Sequence, residues 1–206
     1  MKKIITYALI AIITLGVLLG TIHKINGKKK VTDDNMVIDL LNQITKYRSD
    51  VTIEVKNDRE KNKYNGVQFY KKNIGSKLEV DDGRVFIFKG GDINVKDNNN
   101  TKTYTLDKNF DEVLKYGFIC EYVGLIYTNE ELKFQKEAIN DKEYFIITTI
   151  IPGNNNNICE GSLYYSLDEH LPKKLVLFDS NHNERVVYTY DNFDWTYDIN
   201  DVEFDY

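Results

Sequence analysis

Proline and cysteine each occur twice in 206 residues, histidine three times and tryptophan once. These scarcities narrow the chemistry. A metal centre needs three or more ligands, and a nucleophile needs a base beside it. Of the three histidines, His23 adjoins an apolar N-terminal run, and His170 and His182 fall in expected turns, where a solvated surface role suffices. No G-x-S-x-G, H-E-x-x-H or glycine-rich phosphate loop is present, and Gly90-Gly91 is followed by Asp92, which repels phosphate. The carboxylate pairs Asp81–Asp82, Glu130–Glu131 and Asp168–Glu169 also fall in turns, without the desolvation that acid–base work requires. Asp179, Asn181 and Asn183 alternate like oxygen ligands of calcium, but no bidentate glutamate stands at the required distance, so a plain turn is expected. The expectation is a protein that is not an enzyme and uses no cofactor and no metal.

A basic excess is missing too. The chain has 27 Lys plus Arg against 32 Asp plus Glu, a net charge of −5, and leaving out Lys2 and Lys3 takes it to −7. Nucleic acid is thereby an unfit partner, because phosphate binding needs a basic face.

There is one long apolar run. Residues 4–22 (IITYALIAIITLGVLLGTI) carry no charge over 19 positions, against the roughly 20 that a helix needs to cross a bilayer. The run reads as an uncleaved transmembrane anchor or as a signal segment; Leu18 and Ile22 stand where a cleavage site wants small residues. Its end, GVLLGT at 16–21, has the form of a lipoprotein acceptor site with Thr21 in place of the cysteine that would carry the lipid. The expected organisation is an anchor over 1–23, a polar linker over 24–31 and one extracytoplasmic domain over 32–206.

Cys120 and Cys159 both lie beyond the run. They are a candidate disulfide, closing a loop of about 40 residues worth roughly 3–4 kcal/mol by chain entropy, or else two buried thiols acting as small hydrophobes.

Within the domain, Val37, Leu40, Leu41, Ile44 and Tyr47 recur at helical spacing and predict a first amphipathic helix ending near Ser49. From Val51 the period becomes two. TIEVK, GVQFYKK, SKLEV, RVFIFK, INVK and KTYTL are short segments rich in β-branched and aromatic residues, parted by DDG, KGGD and KDNNN, which predicts an antiparallel meander. Residues 110–127 (FDEVLKYGFICEYVGLIY) are apolar nearly all round and predict an enclosed helix. On it Phe110, Leu114, Phe118, Tyr122 and Ile126 are the candidate residues facing a concave sheet, as core or as ligand contacts. Five more strands follow: ELKFQKEAI, EYFIITTII, GSLYYSL, KKLVLFD and RVVYTYDNF. Eleven strands exceed what a flat sheet carries, so the fold class is α+β, a strongly curved antiparallel sheet cupping two helices.

Residues 160–206 resemble the C-terminal half of the LolA-like, outer-membrane lipoprotein-sorting fold. A strand ends in an acidic turn, Leu171-Pro172 opens the next, the turn Asp179-Ser180-Asn181 follows, and an N-x-x-I-x-D-x-x-F ending is matched by Trp195 to Phe204, with Ile199, Asp201 and Phe204 in register. The apolar 110–127 segment is most similar to the germination lipoprotein GerS group of spore-forming clostridia. That resemblance implies a half-barrel of about 11 strands and a non-catalytic envelope protein, displayed outside the inner spore membrane, supporting an N-acetylmuramoyl-L-alanine amidase. Thr21 departs from that group, so the peptide span 4–22 must itself be the anchor. The alternative the fold suggests is a lipid or lipoprotein carrier using the concave cavity. Fifteen tyrosines and ten phenylalanines supply both core and rigid contact surface; Tyr164 and Tyr165, like Phe69 and Tyr70, are expected on opposite faces of their strands.

Overall fold

Alternation governs the chain from Lys46 onward. Strand β1 (Lys46–Lys56) buries Tyr47, Ser49, Val51 and Ile53 on one face and leaves the residues between them half-exposed, as a pleated strand with one covered face must. The same rhythm builds β2 (Lys61–Lys71), β3 (Gly75–Val80), β4 (Arg84–Lys89), β5 (Asp92–Asp97) and β6 (Lys102–Asp107), then β7 (Leu132–Ile139), β8 (Lys142–Ile150), β9 (Glu160–Ser166), β10 (Leu171–Phe178) and β11 (Glu184–Asp194). The computed structural model describes residues 34–107, 112–153 and 155–205. The apolar run 4–22, the linker 24–31 and Phe110 lie outside the described residues, among which no helix is long and apolar enough to cross a membrane.

All eleven strands form one antiparallel sheet in the order β6-β5-β4-β3-β2-β1-β11-β10-β9-β8-β7. Each half is a meander, and the two halves meet where β1 pairs with β11. Two-residue turns match the right-handed strand twist when both residues have positive φ. Gly90 and Gly91 (66° and 96°) do this between β4 and β5, and Asn140 and Asp141 (50° and 61°) between β7 and β8.

Among the described residues three α-helices accompany the sheet, and two expectations are corrected. The first helix, α1 (Asp34–Asn42), stops well before Ser49. Tyr47, which helical spacing places on its apolar stripe, lies in β1, because extended backbone there pairs with β2 and buries the same ring. The 110–127 segment is likewise not one helix: α2 (Glu112–Tyr116) and α3 (Ile119–Thr128) are separated at Gly117-Phe118. This connection has to cross the sheet, since β6 and β7 are its two opposite edges.

The crossing also reveals the curvature. The Cys120 thiol is within hydrogen-bonding reach of Tyr70 on β2 and Ser76 on β3, while the Tyr122 hydroxyl donates to Ile147 O on β8 at 3.0 Å. Strands β3 and β8 are six positions apart in the sheet order, or about 29 Å along a flat sheet. Two residues two apart on one helix reach both only if the sheet curls around them.

Candidate functional site

The concave face is built around the broken helix. An unpaired helix N-terminus buried in a sheet needs acceptors for its first N–H groups, and here the sheet provides one. Ile119 N donates to the Tyr47 hydroxyl at 3.2 Å, which donates to Gln68 Oε1 at 3.3 Å. Gln68 Nε2 donates to Gly117 O at 3.1 Å, and that carbonyl also accepts from the Tyr190 hydroxyl at 2.8 Å. Tyr188 donates to Val113 O at 3.0 Å. Position 117 admits only glycine at this approach: a Cβ there would lie 2.4 Å from the Tyr188 ring. Burial pushes the Tyr47 and Tyr190 hydroxyls well above their usual pKa, so they stay neutral donors.

Of the residues singled out in the sequence, Phe118, Tyr122 and Ile126 are buried in this hollow. Leu114 is half-buried and lines a depression of about 290 Å³ with Ile53, Tyr64, Phe86, Val113 and Tyr188. A second depression of about 410 Å³ shares Val55 and Val113 with it. The centre of the hollow is filled, by Phe118, Ile119, Tyr122, Tyr188 and Tyr190 at 0% exposure. Alternation along RVVYTYDNF places Tyr188 and Tyr190 on a common face, but does not say that this face is the concave one; that depends on β1 pairing with β11, which no local pattern announces. Nothing in the sequence marks Gln68, whose amide completes the ring.

Cys120 and Cys159, the candidate pair, are both free and part-buried. Cys120 faces Tyr70 and Ser76, and burial pushes its thiol up to about 12. Cys159 lies just before β9, its sulfur 3.4 Å from Asn155 O. The two thus sit among different strands, with their own partners.

Among the described residues no group of three or more His, Cys, Asp or Glu could hold a metal ion. His182 stacks on Phe178 at 4.6 Å and places Nδ1 3.2 Å from Glu160, in a turn with φ 62°. The Asp179 carboxylate turns inward, accepting from the backbone N–H groups of Asn181 and Asn183 at 2.9 and 2.8 Å and from Arg185 Nε at 2.7 Å. It is spent on closing the β10–β11 turn. As for the aromatic pairs, Tyr165 is buried with Phe145 opposite it, while Tyr164 packs outward on Val176, Phe178 and Val187. Trp195 and Tyr197 are exposed, with Arg48 5.9 Å over the Tyr197 ring.

With this geometry in view, the chain compares with known proteins as follows. The family model of YdcC-like sporulation proteins matches residues 1–204. No curated protein matches the chain. Among solved structures, an uncharacterized conserved protein of Thermus thermophilus is similar over 82% of this chain and 91% of its own, at 8% identity and a TM-score of 0.55. A chain of the Clostridioides difficile complex of the CwlD amidase with the GerS lipoprotein is 24% identical over 81% of this chain and 98% of that one, with a TM-score of 0.48. A LolA superfamily protein of Nitrosomonas europaea is 13% identical over 84% and 98%, with a TM-score of 0.43.

Proposed function

The chain belongs to the YdcC-like family of sporulation proteins, and on that premise we propose that it is a non-catalytic accessory protein of the spore or cell envelope, anchored by residues 4–22. Its domain stands on the extracytoplasmic side and docks another envelope protein. The partner class we propose is a cell-wall amidase acting on the cortex, following the kinship with the GerS group. The observation that carries the reading is the filled hollow: Phe118, Tyr122, Tyr188 and Tyr190 at 0% exposure make the concave side a rigid core, leaving the outer surfaces for recognition. Tethering both partners at one membrane raises their effective concentration, so modest affinity suffices.

The carrier alternative draws on the adjoining depressions of about 290 and 410 Å³, which share Val55 and Val113. Ligand pockets run from about 300 to 1,000 Å³, and acyl chains would have to displace hydrogen-bonded aromatic side chains to go deeper. Affinity capture with the full chain from sporulating cells tests the proposal. Recovery of a peptidoglycan amidase is the expected result, and its absence with a folded bait counts against it. Native mass spectrometry of the same preparation showing bound lipid would favour the carrier.

A further inference from the structure

On the convex side of β1–β4, the face opposite the helices, the segment 198–205 folds back across the sheet. Ile199 and Phe204 are buried there with Ile87, and Phe69, Ile74 and Val85 pack around them. The carboxylates of the segment meet one lysine from each strand in order. Asp198 lies 3.7 Å from Lys46 on β1, Asp201 2.5 Å from Lys71 on β2, Glu203 2.9 Å from Lys77 on β3, and Asp205 3.0 Å from Lys89 on β4. Lys71 Nζ also donates to Ile199 O at 2.9 Å. The segment's own N–H groups close its 3-10 turn (Asp201–Phe204): Glu203 N donates to Asn200 O and Asp205 N to Val202 O.

Side chains therefore hold this segment to the sheet. The pairs are mostly solvent-exposed, and exposed pairs contribute little each; the two apolar anchors hold the strap and the lysines set its direction and register. Lys77 is the most enclosed of the four. Burial disfavours its charge, and the carboxylates of Glu79 and Glu203 outweigh that and raise its pKa. A lysine ladder beside the apolar patch of Phe69, Ile74, Val85 and Ile87 is the complement of a particular kind of peptide, and one such peptide already covers it.

We propose that this ladder and apolar patch form a recognition slot for an acidic segment with two apolar anchors, filled in cis by 198–205, and that a partner protein carrying such a segment binds by displacing the strap. This goes beyond the accessory role proposed above and does not depend on the partner being an amidase. A strap tethered through residues 195–197 competes at an effective concentration on the order of millimolar, so trans binding to the unaltered chain is weak and becomes strong when the strap is released.

The test uses a fluorescent peptide of residues 195–206 against the full chain and against full-length variants with the strap released, Ile199→Ala with Phe204→Ala, and separately Phe204→Ala with Asp201→Lys and Glu203→Lys. The slot itself is unaltered in both, and two routes to release guard against one variant failing to fold. Anisotropy is expected to show binding to the released chains about 10- to 100-fold tighter than to the parent, weakening as salt rises and lost on adding Lys77→Glu. Equal affinity for parent and released chains, no binding to either folded variant, or equal binding of a peptide with its two anchors changed to alanine would overturn the proposal.

Discussion

The ring of Tyr122 stands where a side chain on Gly161 would be. A Cβ at position 161 would meet the Tyr122 ring at 2.7 Å, and the Tyr122 hydroxyl donates to Gly161 O at 2.6 Å while also reaching Ile147 O at 3.0 Å. One buried tyrosine thereby ties α3 to β8 and β9, and a missing side chain on β9 makes the room.

Gly161→Ala is expected to cost about 1–3 kcal/mol, the usual range for overpacking a core. Strand β9 is paired on both sides, with β8 and β10, and cannot back away. Tyr122→Phe keeps the ring and removes the hydroxyl, leaving buried carbonyl oxygens without that donor, for a loss of about 1–3 kcal/mol. Urea unfolding measures both, and a Gly161→Ala chain of parental stability would contradict the packing described.

The ring through Ile119 N, Tyr47, Gln68 and Gly117 O is expected to behave as a unit. Either Tyr47→Phe or Gln68→Leu breaks it, so the second substitution removes less than the first. A double-mutant cycle should return a coupling of about 0.5–3 kcal/mol, with the double variant less destabilised than the sum of the singles. Additive losses would mean the two side chains act separately.

Period-two alternation made the strands readable one by one, because a half-covered strand must alternate whatever it pairs with. The pairing of β1 with β11 was not readable. It joins Arg48 to Asp194 and Val55 to Val186, and nothing local to either segment records the other. The stripe ending at Tyr47 misled for a related reason: an apolar residue satisfies a helix face and a strand face equally, and the sheet decides between them. Gly117 lies inside an apolar segment that reads as one helix; the break there follows from the close approach of Tyr188, more than 70 residues away in sequence. Ile199, Asp201 and Phe204 were recognisable as an ending, yet the four lysines they and their neighbours engage come from four separate strands.

Both thiols are expected to be free in protein purified without reductant, as intact mass would show. Cys120 is also expected to resist alkylation in the native state. With its thiol pushed up to about 12 by burial, roughly one part in ten thousand is thiolate at pH 8, and the thiolate is the reactive species. Iodoacetamide at pH 8 should modify Cys120 far more slowly in the folded chain than in urea. Fast native labelling at this position would place the thiol in solvent.

Acid should weaken the β10–β11 turn through Asp179. Its carboxyl is lowered from 3.8 to about 2, first by the N–H of Asn183, then by the Asn183 side chain, Arg185 and the N–H of Asn181. A carboxylate with a depressed folded-state pKa contributes stability that is complete above its unfolded value, near 3.9, and is lost as pH falls toward 2. Asp179→Asn keeps the shape and removes the charge, so it should destabilise the chain at neutral pH, with the gap between variant and parent closing between about pH 4 and pH 2. The check is the pH dependence of unfolding free energy for both chains from pH 7 to pH 2. A gap that stays constant through that window would mean that the hydrogen bonds to Asp179 do not distinguish its charged from its neutral form, and that the turn is held by Arg185 and Asp58, which are 2.7 Å apart, instead.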